Sequence, residues 1–174
     1  MIAKKKSTST ESDNGTFIIS RVFDAPREAV FQAYTESERL EKWWGAKGFT
    51  TNVKRLDFRP DGIFHYRMLT PDGHEMYGKF VYRNIVAPEQ LVFISTFADE
   101  KGNPIRAPFS ATWPMEILNT TTYSEDDGQT TVTIRSVPVN ATEEERKTFE
   151  SMFDSMQQGY GETLDRLADY LTHA

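Results

Sequence analysis

Cysteine is absent from the 174 residues, so the chain can form neither a disulfide framework nor a thiol nucleophile. No apolar run approaches the roughly 18 residues that a membrane-spanning helix needs. Nothing near the start resembles a secretory signal, because Lys4-Lys5-Lys6 is followed by Ser, Thr, Glu and Asp rather than by an apolar segment. The expected compartment is therefore the cytoplasm. Positive charge is also short. Twenty Lys and Arg stand against 26 Asp and Glu, a formal charge of −6. That balance speaks against a nucleic-acid backbone or an anionic membrane as partner. Histidine is scarce, and His65, His74 and His173 show no metal-ligand spacing. There is no glycine-rich phosphate loop, nucleophile elbow or redox motif. Neither a catalytic constellation, a metal site nor a cofactor is expected.

Aromatic side chains are plentiful: twelve Phe, seven Tyr and three Trp supply enough apolar area for a dense core or for the wall of a cavity. Residues 1–15 are polar and aperiodic and read as a flexible tail. Residues 16–174 then read as one domain. Phe17 to Phe23 is β-rich and is stopped by Asp24-Ala25-Pro26. A short helix follows with Val30, Phe31 and Tyr34 on one side, then a second from about Ser37 to Trp44. Extended runs cover 50–58, 63–69, 75–86, 91–98, 115–123 and 130–137. The turns Arg59-Pro60-Asp61-Gly62 and Thr70-Pro71-Asp72-Gly73 mark an antiparallel meander, with Pro presetting the second position and Gly taking the left-handed exit.

The last element is the clearest. Thr142 and Glu145 have capping-box spacing. Phe149, Met152, Phe153, Met156, Tyr160, Thr163, Leu164, Leu167 and Leu171 then step by three and four, predicting one helix over about 142–171 with a broad apolar face. A face this broad calls for a curved sheet as partner. The fold class is α+β: an antiparallel sheet gripping a long C-terminal helix, with two short helices.

Several segments are similar in order and spacing to one family. They are Leu40-Glu41-Lys42-Trp43-Trp44-Gly45, the stretch from Gly62 to Gly73, Gly78 through Leu91-Val92-Phe93, and Gly159-Tyr160-Gly161-Glu162-Thr163-Leu164-Asp165-Arg166-Leu167. Together they resemble the family named for homology to the activator of heat-shock protein 90 ATPase, within the START-like (SRPBCC) superfamily. Thr142 to Phe149 and Phe153 to Tyr160 resemble its bacterial single-domain branch. The resemblance implies a helix-grip fold and a cavity between sheet and helix that often takes apolar small molecules. The eukaryotic activator has a separate N-terminal domain for which this chain has no room, so chaperone binding is not expected.

Alternation places Phe64, Tyr66 and Met68 on one strand face, Met76, Gly78, Phe80 and Tyr82 on the next, and Leu91, Phe93, Ser95 and Phe97 on the third. His65 and Arg67 fall on the opposite side, where solvent is one place they could point. Core packing accounts for most of the inward set. The polar tips of Tyr66, Tyr82 and Ser95, and the small residues Gly78 and Gly159, add features of a pocket. The expected ligand-binding set is Trp43, Trp44, Phe64, Tyr66, Met68, Phe80, Phe93, Phe153, Met156, Gly159 and Tyr160. The leading function is binding of a hydrophobic or aromatic small molecule, as carrier or sensor. The alternative is an enzyme of cyclase or hydrolase type acting on a polycyclic substrate in the same pocket, and the third is a chaperone co-factor. Besides the apolar ligand, a homodimer is allowed for.

Overall fold

The computed structural model describes residues 9–13 and 15–173, with side chains described from residue 15 onward. Strands β1 (Ser9–Asp13) and β2 (Thr16–Phe23) lead into helices α1 (Arg27–Gln32) and α2 (Ser37–Trp43). Strands β3 (Thr50–Leu56), β4 (Ile63–Leu69), β5 (Glu75–Val86), β6 (Gln90–Ala98), β7 (Pro104–Ile105), β8 (Glu116–Asp126) and β9 (Gln129–Val139) follow. Helices α3 (Glu143–Ser151) and α4 (Phe153–His173) complete the order. All strand pairs are antiparallel, in the order β1-β2-β9-β8-β6-β5-β4-β3, with β7 attached to β6. Bulges at Val53/Arg55 and Tyr82/Asn84 bend the strands that carry them.

The sheet buries one face by strict alternation. In β8 the buried residues are Ile117, Asn119, Thr121 and Tyr123; in β9 they are Thr130, Val132, Ile134, Ser136 and Pro138. Against this face lies the C-terminal helix, with Leu164 and Leu167 in the same core cluster as Phe17, Phe64 and Phe93. No described helix is long and apolar enough to cross a membrane.

Five sequence expectations need correction. First, part of the presumed tail is structured: Ser9–Asp13 pairs with β2, while residues 1–8 and 14 lie outside the described residues. Second, the C-terminal helix is not continuous. Its capping box forms as expected, with Thr142 Oγ1 accepting from the Glu145 N–H and Glu145 Oε1 accepting from the Thr142 N–H. At Met152, however, φ −102° and ψ 8° leave the helical region and separate α3 from α4. Third, Phe153, whose place on the apolar helix face predicts burial with Leu164 and Leu167, is only partly buried. Fourth, His65 does not face solvent. It is 7% exposed under the turn after β6, where its Nε2 meets the Asp99 carbonyl oxygen at 3.1 Å. Fifth, the turn at 59–62 takes its left-handed residue at Asp61, φ 67°, not at Gly62. Gly62 is needed because a Cβ there would collide with the Asp57 carbonyl. The next turn is as read, with Gly73 at φ 93° and its N–H bonded to Thr70 O at 3.0 Å.

Burial on α4 fixes a stability test. Leu167 has no exposed surface, so Leu167→Ala should cost about 2–5 kcal/mol. Phe153→Ala should cost less than the ~3–5 kcal/mol of a fully buried Phe. Denaturant unfolding that ranked Phe153→Ala above Leu167→Ala would contradict this packing.

Candidate functional site

The concave face carries two groups of aromatic rings. The first is built by β4, β5, β6 and the end of α2. Phe64 stacks on Tyr66 with centroids 4.6 Å apart, and Phe80 stacks on Phe93 at 4.0 Å. Trp44 is half-buried and stands edge-on to Phe64, Tyr66 and Phe80 at 6.4, 6.1 and 5.5 Å. Edge-to-face contacts of this kind match the ring quadrupoles and hold each ring in one orientation. The second group joins the helices to β2: Phe17 contacts Phe153 at 5.5 Å and stacks with Tyr160 at 5.7 Å. Phe149 and Trp113 extend it outward. Among the described residues no ring contact links the two groups.

The strand register shows what lies between them. Phe93 pairs with Asn119, Asn119 with Ser136, and Ser136 with Phe17. Adjacent strands are about 4.8 Å apart, so the two Phe backbones are separated by roughly 14 Å of sheet. That interval is floored by short polar side chains. Asn119 is 1% exposed; its Nδ2 donates to Ser95 Oγ at 2.9 Å and to Ile117 O at 3.1 Å, and its Oδ1 accepts from Ser136 Oγ at 2.6 Å. An amide this buried must have its groups paired or it destabilises the fold. Asn119 and Ser136 are absent from the expected site. Their signal is a polar residue at an inward position of each alternating strand.

The expected residues divide accordingly. Trp44, Phe64, Tyr66, Phe80 and Phe93 come together in the first ring group, while Phe153 and Tyr160 join the second. Met68 and Met156 are partly buried against the core. Trp43 is wholly buried, its indole N–H donating to Ala33 O at 2.9 Å, and packs α2 onto α1. A Cβ built at Gly159 meets no atom within 4 Å. Gly78 behaves differently: a Cβ there would collide with the Tyr66 phenol, so the space read from its small size is already filled.

Tyr34, Tyr66, Tyr82, Tyr123 and Tyr160 add phenol groups to this interior. Burial raises the pKa of each, because the phenolate loses its hydration. The Trp44 indole partly offsets the rise at Tyr66, and Ser136 does so at Tyr160. The Tyr123 hydroxyl is buried with no hydrogen-bond partner of good geometry. All five phenols therefore remain neutral donors through the physiological range. The only buried His and carboxylate among the described residues, His65 and Glu145, serve the convex face and the α3 capping box.

The fold has close counterparts among solved structures. A Mycobacterium smegmatis protein is 26% identical, with a TM-score of 0.79 over 97% of this chain and 98% of its own. An Arthrobacter aurescens protein is also 26% identical, with a TM-score of 0.81 over 95% and 92%. A protein of the dynemicin biosynthetic locus shares the fold at 17% identity and a TM-score of 0.64, over 92% of this chain and 48% of its own. No curated protein sequence gives a significant match. The family model described as Activator of Hsp90 ATPase homolog 1-like protein matches residues 24–172. With that match spanning most of its length, and with the START-like arrangement of sheet and helix, the chain belongs to the Activator of Hsp90 ATPase homolog 1-like family.

Proposed function

We propose that the chain binds a hydrophobic or aromatic small molecule between the sheet and α4, as a carrier or sensor. The observation that carries this reading is the polar strip of Asn119 and Ser136 between two aromatic groups that share no ring contact, with the Tyr160 phenol reaching Ser136. A core selected only for packing would fill such an interval with branched apolar side chains. Ligand sites instead combine apolar walls with a few placed polar groups. Open space beside Gly159 and the adaptable thioethers of Met68 and Met156 fit the same reading.

Binding is favoured over catalysis because, among the described residues, the interior offers donors without a base. The phenols hold their protons, and His65 and Glu145 are engaged elsewhere. General acid–base chemistry needs a group able to take a proton at working pH. An apolar naphthalene-based fluorescent probe is expected to bind the native protein saturably at one site. Native mass spectrometry of protein from its own host is expected to show a co-purifying small molecule. Probe binding that appears only on partial unfolding would overturn the proposal.

A further inference from the structure

The buried hydrogen-bond chain on the sheet has a direction. The amide group of Asn119 that meets the Ile117 carbonyl at 3.1 Å must be its NH2, since a carbonyl oxygen only accepts. This fixes the other end: Oδ1 accepts the Ser136 hydroxyl at 2.6 Å, and Nδ2 gives its remaining hydrogen to Ser95 Oγ at 2.9 Å. Ser95 is thus an acceptor toward Asn119, and its own O–H has no acceptor among the described residues. Ser136 and Asn119 are each 1% exposed, whereas Ser95 is half-buried. The chain therefore runs from the closed side of the sheet to a free donor at the more open side. Successive bonds polarise one another, so the last hydroxyl is a better donor than an isolated serine.

The free donor sits beside a ring platform. Ser95 pairs with Phe80 across the β5–β6 ladder and lies two residues beyond Phe93, on the same face. Phe80 and Phe93 are the tightest stacked pair, 4.0 Å apart and inclined by 17°. We infer that Ser95 is a specificity-determining residue whose hydroxyl donates to an acceptor oxygen of the ligand, so the preferred ligands are aromatic compounds carrying a carbonyl. This rests on the binding function proposed above and names its ligand class.

A matched pair of probes isolates the claim. 2-Acetylnaphthalene and 2-ethylnaphthalene have nearly the same shape and differ in the carbonyl. Calorimetric titration of the wild-type chain should show the ketone bound about 3–10-fold more tightly, the span of one net neutral hydrogen bond. Ser95→Ala should abolish that preference while leaving the ethyl compound's affinity within about twofold, and Ser95→Thr, which keeps a hydroxyl, should restore it. Infrared spectra of bound 2-acetylnaphthalene supply a readout in the unmutated protein: the carbonyl stretch should lie below its value in hexane, and the shift should vanish in Ser95→Ala. Equal affinity for the two probes, a preference that survives Ser95→Ala, or an unshifted stretch each overturns the role of Ser95 while leaving the pocket intact. Failure of both probes to bind would overturn the pocket and this inference together.

Discussion

Trp43→Ala is expected to lower the unfolding free energy by about 3–5 kcal/mol, among the largest single-residue losses in the chain. Trp43 has no exposed surface. Its ring lies edge-on to Tyr34 at 4.7 Å and to Trp44 at 5.6 Å. Its N–H supplies the partner for Ala33 O, the carbonyl at the C-cap of α1, where intrahelical donors have run out. Truncation thus opens a cavity and strands a buried acceptor, two separate losses. Trp43→Phe keeps one ring but not the donor, so it should cost less than Trp43→Ala but no less than the about 1–3 kcal/mol of the unpaired carbonyl. Guanidinium unfolding of both variants checks the pair. A Trp43→Ala loss under about 1 kcal/mol, in the range of surface positions, would move this residue out of the core and back to the pocket wall.

The legible parts of the fold are those fixed by local chemistry. Pro71 and Gly73 specify a turn without help from the rest of the chain, and Thr142 with Glu145 specifies a helix start. The three-and-four spacing from Phe149 onward locates the core-facing side of the C-terminal helices. What the sequence hides is tertiary. Met152 is a good helix former, yet the helix breaks there. Phe149 on one side packs on Trp113 at 5.4 Å, and Phe153 on the other packs on Phe17 at 5.5 Å. The two rings also meet each other edge-on at 5.4 Å across the break, which no Gly or Pro announces. The polar segment Ser9–Asp13 has no alternation to betray it, and becomes a strand because the β2 edge offers unpaired backbone groups. Alternation correctly sends His65 to the outer face, but cannot foresee that residues 99–103 fold over it.

The candidate site divides in the same way. Its ring residues follow from alternation, and β4 to β6 deliver Phe64, Tyr66, Phe80 and Phe93 to one face. Gly78 shows how size misleads. A small residue signals missing volume at its own position, and only the structure shows that Tyr66 occupies it. Asn119 and Ser136 show the converse. Each has an inward position and the wrong polarity for it, a conflict between pattern and residue type of the kind expected at functional or strained sites.

Gly159→Leu is expected to stabilise the fold while weakening probe binding, and the combination is what tests the pocket. Glycine inside a helix costs up to about 1 kcal/mol relative to a good helix former, so replacement should raise stability wherever the new side chain has room. The first atom has it, since nothing lies within 4 Å of a Cβ at Gly159. In an apolar pocket, a mismatch of a methylene or so is worth about 10–200-fold in affinity, and the loss should fall in that span. Gly161 provides the internal control. At about 100° per residue it lies roughly 200° around the helix from Gly159. Its Cβ position is equally open, but its carbonyl accepts from Arg21 Nη2 at 3.3 Å on the β2 side. Gly161→Leu should therefore give a similar gain in helix stability without the loss of affinity. Thermal unfolding and naphthalene-probe titration of both variants distinguish three cases. Stabilisation of both with weaker binding only in Gly159→Leu supports a ligand space beside Met156 and Tyr160. Equal effects of the two substitutions on binding reduce both glycines to helix propensity. A loss of about 1–3 kcal/mol on Gly159→Leu, the cost of overpacking, with no probe binding by the parent, would mean that the aromatic walls close on one another and that the interior is solid.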